Sequence, residues 1–194
     1  APGGHSNNPR PSAMPFVSYK PMTVSKIIIA FFLTTLLCCN SSTRKQKTCN
    51  PYFQFDKIEH FYLDIEENKI WDIEKKKSKT NKEKRQLELL IEYTPDKLSD
   101  TSVLKEIVKL DFVRKEIPTN KFEQINEIFC QRNHSETLAM SCEAVYRDIL
   151  VFKKNNKIIG TAKICFDCDQ NVISGTKVNT DEFGQSGDYG KLYK

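Results

Sequence analysis

Between residues 149 and 166 two apolar runs flank a short polar break. Ile149, Leu150, Val151 and Phe152 form the first run, Ile158 to Phe166 (IIGTAKICF) the second, and Lys153 to Lys157 (KKNNK) lies between them. β-Branched and aromatic side chains suit a pleated surface, and Asn tolerates the left-handed backbone of a tight turn, so this stretch predicts an antiparallel β-hairpin. That hairpin excludes an all-helical chain.

The segments before it carry helical spacing. In Asn81 to Tyr93, Leu87, Leu90 and Ile91 share one face, and Thr94-Pro95 stops the run. Ser99 to Leu110 predicts a second helix with Ser99 as N-cap and a stripe of Val103, Leu104, Ile107 and Val108. Asn120 and Glu123 fit a capping box for a third, whose Phe122, Ile125, Ile128 and Phe129 line one face as far as about Cys130. Ile58 to Ile65 and Phe112 to Ile117 read as strands, and the polar remainder after Cys168 reads as loop with a short terminal helix. The expectation is an α+β fold over 50–194: a small antiparallel sheet, including the C-terminal hairpin, covered by two or three helices.

Composition agrees with one such domain. The chain has 194 residues, 39% hydrophobic and 28% charged, enough apolar surface for a single core. Its net charge of +5 is a small excess over many charges of both signs. The only dense basic run is Lys75, Lys76, Lys77, Lys79, Lys82, Lys84 and Arg85. It reads first as a solvated linker and helix start, and second as a contact for an anionic membrane surface; without interleaved aromatics it predicts no nucleic-acid partner.

Upstream lies a targeting signal. Met22 to Lys26 is a short cationic lead, and Ile27 to Leu37 is an eleven-residue apolar or hydroxyl-bearing run. A helix needs about 20 residues to span a bilayer, so this run has the length of a signal-peptide core. Cys38 and Cys39 follow directly, then polar residues suited to a tether. An apolar run ending in cysteine resembles a bacterial lipoprotein signal, whose modified cysteine follows a small residue. Leu37 before Cys38 departs from that pattern and Cys38 before Cys39 approximates it, so the resemblance implies lipidation at Cys39 and anchoring to the lipid membrane by N-terminal acylation. The expected layout is a disordered upstream or fusion segment 1–21, a signal peptide 22–39, a tether 40–49 and the domain 50–194. A buried core helix or a retained signal anchor at Ile27 to Leu37 are the competing readings.

An exported chain changes what its cysteines mean. Beyond Cys39 there are five: Cys49, Cys130, Cys142, Cys165 and Cys168. An odd number leaves one free or one paired between molecules. If the hairpin loop is Asn155-Asn156, Cys168 lies opposite Glu143; if Lys154 joins the loop, it faces Cys142. Cys142 with Cys168 is therefore the first disulfide candidate. Two alternatives stay open. Cys165 and Cys168 have the C-x-x-C spacing of a zinc knuckle, with Cys142 and His134 as further ligands, and the same spacing can carry thiol redox chemistry. Other catalytic templates are missing: no G-x-S-x-G, H-E-x-x-H, P-loop or dinucleotide fingerprint occurs. His60 has no local nucleophile beside it, nor has His134, and Asp167, Asp169, Asp181 and Asp188 lack calcium-loop spacing. No catalytic residue and no cofactor are assigned.

The segment from Cys142 through Asp148 to Cys168 (CEAVYRDILVFKKNNKIIGTAKICFDC) resembles a group of uncharacterised bacterial secreted and lipoprotein-like sequences. They share a Cys, a short apolar strand, a hairpin turn and a second strand closing in C-F-x-C. Cys142, Cys165 and Cys168 match that pattern, and the resemblance implies an exported domain built around the hairpin without implying an activity. The functional expectation is an envelope lipoprotein that binds an unknown protein partner or helps assemble a surface complex, non-enzymatic; a metal-binding (zinc) or thiol-redox protein using Cys142, Cys165 and Cys168 is the alternative.

Overall fold

A computed structural model describes residues 49–135 and 141–194; segment 1–21, the signal peptide 22–39 and all of the tether but Cys49 lie outside the described residues. The strands are β1 (Asn50–Pro51), β2 (Lys57–Tyr62), β3 (Val113–Glu116), β4 (Cys130–Gln131), β5 (Asp148–Lys154), β6 (Lys157–Cys165) and β7 (Gln170–Ser174). The α-helices are α1 (Glu67–Lys75), α2 (Asn81–Leu90), α3 (Phe122–Ile128) and α4 (Asp188–Leu192), with 3-10 helices at Leu98–Leu110 and Thr119–Lys121. The fold is α+β.

The hairpin organises it. Asn155 and Asn156 both take left-handed backbone, with φ of 49° and 60°, and close a two-residue turn between Lys154 and Lys157. Asp56 accepts a hydrogen bond from the Asn155 backbone N–H at 2.8 Å, fixing the turn to the chain entering β2. Between Phe152 and Lys153 the register shifts by a bulge. Beside it, a Cβ on Gly160 would overlap the Phe53 ring, and Phe53 in turn stacks on Phe152 with centroids 4.4 Å apart. Gly160→Ala is expected to cost about 1–3 kcal/mol through overpacking, read as a lower urea midpoint with an unchanged slope.

β5 and β6 are the inner strands of a five-stranded antiparallel sheet ordered β3-β2-β5-β6-β7. Ile149 to Phe152 are four consecutive buried residues, which requires cover on both faces of the strand. Phe61, Ile149 and Val151 point to one side, where they pack with Ile70 of α1, Leu87 and Leu90 of α2, and Val103, Leu104 and Ile107 of the long 3-10 helix. Ile58, Leu150, Phe152, Ala162 and Ile164 point to the other, against Ile125 and Ile128 of α3, Tyr189 of α4 and an aromatic group of Tyr52, Phe53, Phe129 and Phe183. The second face is held together by Cys49–Cys130, which joins the paired short strands β1 and β4 across 81 residues with α-carbons 5.8 Å apart.

Several local expectations need correction. The segment at Leu98–Leu110 is a 3-10 helix flanked by Lys97, so Ser99 lies within it and not at its cap. At three residues per turn, Leu104, Ile107 and Leu110 fall on one side, while Val108 turns outward and is 59% exposed. Asn120 sits inside the 3-10 turn before α3, so the capping box with Glu123 does not form. A true capping box stands at α2, where the Thr80 hydroxyl accepts the Glu83 N–H at 3.1 Å and the Glu83 carboxylate accepts the Thr80 N–H at 2.8 Å. α3 ends at Ile128, leaving Cys130 on β4; the strand expected to reach Ile65 stops at Tyr62, β6 stops at Cys165, and the polar segment after Cys168 forms edge strand β7 before the terminal helix.

Candidate functional site

The cysteines of the C-terminal hairpin converge, by a route other than uninterrupted strand pairing. After β6 ends, residues 166–169 turn back into β7, whose Gln170 pairs with Cys165. That turn carries Cys168. The chain entering β5 passes beside it, held by a 2.8 Å hydrogen bond from the Gln170 side-chain amide to the Cys142 carbonyl and by the 2.7 Å bond from the Tyr146 N–H to the Leu90 carbonyl. Arg147 pins the same segment, donating to the Ile65 carbonyl at 3.0 Å and to Asp167 in the turn at 2.8 Å. Cys142 and Cys168 are joined as a disulfide with α-carbons 6.0 Å apart. Cys165 carries a free thiol.

Burial divides these sulfur-bearing residues. Cys165 and Cys168 are 2% and 6% exposed and share a cluster with Tyr146, flanked by Ala144 and Val172. Cys142 stands outside it as an exposed residue. Under the same face of β6 lies Lys163, fully buried, its ammonium 4.8 Å from the centre of the Tyr146 ring. It donates to the Thr94 carbonyl at 3.0 Å and to the Glu92 carbonyl, in the connection leaving α2. Burial pushes Lys163 down to about 7, against the opposing pull of Glu92 and Glu88. Burial also raises the Tyr146 hydroxyl to about 12. A disulfide, a thiol, a phenol and a desolvated amine thus occupy one end of the hairpin.

His134 lies elsewhere in the arrangement. Its Nε2 is 3.1 Å from the Ser186 hydroxyl, and its backbone N–H donates to Glu182 at 2.8 Å. The loop bearing Ser186 is tied down by Asp188, a buried carboxylate that accepts from Arg132 at 2.8 Å and from the Gly184 N–H at 3.1 Å. Sequence spacing gave no hint of this serine–histidine pair, whose members are 52 residues apart. His60 pairs with Asp148 at 2.7 Å across β2 and β5. Among the described residues no three His, Cys, Asp or Glu side chains converge in a metal-holding arrangement, and no helix is long and apolar enough to cross a membrane.

Four of the seven residues of the basic run make contacts within the fold. Lys76 meets Glu83 at 2.5 Å, Lys82 meets Asp111 at 2.6 Å, Arg85 meets Glu88 at 2.7 Å, and Lys79 donates to the Glu74 and Lys76 carbonyls. The hydrogen bond from Lys76, then the Thr80 backbone, hold the Glu83 carboxyl at about 2. Lys75 instead lines an open groove of about 670 Å³ with Trp71, Asp72, Ile91 and Glu143, the last being the neighbour of Cys142.

Comparison of the chain with protein-family models, with curated proteins and with solved structures finds no match in any of the three.

Proposed function

We propose that this protein is an exported, lipid-anchored domain of the bacterial cell envelope that binds a protein partner and catalyses no reaction. The observation that carries this reading is the pair of disulfides, Cys49–Cys130 and Cys142–Cys168, which together use four of the five described cysteines. Structural disulfides persist in oxidising compartments and are rare in the cytosol. The apolar leader ending in Cys38-Cys39 supplies the matching address. The groove beside Cys142, with Trp71 and Ile91 among charged neighbours, has the mixed apolar and polar lining of a protein-recognition surface.

Mass spectrometry of native material from membranes tests the reading. The expected product begins at Cys39 with thioether-linked diacylglycerol and contains both disulfides; an unacylated, soluble product with every cysteine reduced rejects it. The metal alternative needs the Cys142 and Cys168 thiolates released from their bond, because the thiolate is the ligand. Elemental analysis decides that point: stoichiometric zinc in the native protein, lost in Cys165→Ser, replaces the binding reading with a metal site.

A further inference from the structure

We infer that Cys142, Cys165 and Cys168 form an intramolecular thiol–disulfide exchange centre, in which the buried Cys165 thiol displaces Cys142 from Cys168 and so transfers the free thiol to the protein surface. This goes beyond the binding reading and does not depend on lipidation. Three features support it. Cys165 and Cys168 belong to one small buried cluster with Tyr146, so the thiol and one half of the disulfide share the same solvent-excluded end of β6. They are also separated by only two residues across the turn 166–169. α-Carbons three residues apart in a tight turn lie within about 7 Å, near the range that a disulfide bridges. Finally, Cys142 is exposed whereas Cys165 is 2% exposed, so the two arrangements differ in what solvent can reach.

The exchange balances without an outside oxidant or reductant. The Cys165 thiolate attacks the Cys168 sulfur; the Cys165–Cys168 bond forms as the Cys142–Cys168 bond breaks, and the departing electron pair stays on Cys142. The proton lost by Cys165 is returned to Cys142 through water on its exposed side. The segment ahead of β5 need not unravel, since the Gln170, Tyr146 and Arg147 hydrogen bonds remain. Once at the surface, the Cys142 thiol is placed to exchange with an accessible disulfide on another polypeptide. In the resting form the only free thiol among the described residues, that of Cys165, is buried away from reagents in solvent.

Alkylation of the full native chain with excess N-ethylmaleimide at pH 8, followed by trypsin digestion without reduction, tests this. Cys142 falls in peptide 133–147, whereas Cys165 and Cys168 share peptide 164–177. The expected result is time-dependent labelling of Cys142, matched mole for mole by peptide 164–177 containing an internal disulfide. Cys165→Ser should lose at least nine-tenths of that labelling. Label on Cys165 alone, with the two peptides still cross-linked, overturns the inference, and so does no label after a day. As an independent arm, Cys142→Ser exposed to cystamine should close Cys165 onto Cys168; two separately capped thiols, or two that stay free, overturn it as well.

Discussion

Reducing both disulfides should unfold most of the domain at 25 °C, and the longer-range bond should contribute more of the loss. Cys49–Cys130 closes a separation of 81 residues and Cys142–Cys168 one of 26. The chain-entropy relation assigns these about 4.5 and about 3.5 kcal/mol respectively, upper figures because a reduced chain retains residual structure. Domains are typically stable by about 5–15 kcal/mol, so losing both constraints removes a large share of the total. Packing alone does not replace the longer bond. It ties the two-residue strands β1 and β4 to each other, and pairs that short cannot hold the Tyr52, Phe53 and Phe129 ring cluster against the sheet. Urea titration reports the outcome through Trp71, the chain's one tryptophan, which packs against the core. Cys130→Ser should lower the unfolding free energy more than Cys142→Ser, and full reduction should abolish the cooperative transition. A reduced protein whose midpoint lies within experimental error of the oxidised one would show that packing suffices.

What the sequence disclosed about this fold follows how local each signal was. The run ILVF with the Asn-Asn break was readable because turn chemistry and β-branching act within a few residues. The two hydrophobic layers around Ile149 to Phe152 bury this run on both faces, a consequence of its central place in the sheet. β7 escaped notice because an edge strand need bury only part of its surface: Gln170, Asn171 and Ser174 leave Val172 and Ile173 as its sole apolar residues. α1 was hidden for a similar reason, with Ile70 its one fully buried residue in a charged segment. The Thr80-x-x-Glu83 box is a local signal too, a hydroxyl N-cap with a carboxylate three residues on, and it forms where the Asn120 pattern does not. The Cys49–Cys130 bond had no local signature at all, since tertiary packing alone brings residues so far apart together. Towards the open end of the hairpin, extrapolating strand register to Cys168 meets a bulge at Phe152/Lys153 and a strand end at Cys165, and the following turn delivers Cys168 to Cys142.

Lys163 should make the domain more stable as pH rises from about 7 towards 10, opposite to what its buried tyrosines do above that. Folding lowers the Lys163 pKa from 10.5 to about 7 because burial disfavours the ammonium. Below pH 7 the lysine is charged in both states, and the folded form bears a constant desolvation penalty. Between about 7 and 10.5 the unfolded chain binds the proton and the folded one does not, so stability climbs with pH. At about 1.4 kcal/mol per pH unit the complete window is worth about 5 kcal/mol. The charged groups facing the amine, Glu92 and Glu88, only reduce the lowering, and Tyr146 presents its ring. Tyr52, Tyr146 and Tyr189 are each raised to about 12 by burial. Their unfolded counterparts ionise near pH 10, so stability falls beyond that point and the curve peaks just below it. Lys163→Met should flatten the rise between pH 7 and 9 and raise stability at pH 6, because the exposed Glu92 and half-exposed Thr94 segment lets water replace the lost donors to their carbonyls. The measurement is urea unfolding at half-unit pH steps in a Cys165→Ser background, which prevents disulfide exchange at alkaline pH. An equal slope in the lysine and methionine proteins would mean that Lys163 stays charged inside the fold, held by the Tyr146 ring and the two carbonyls.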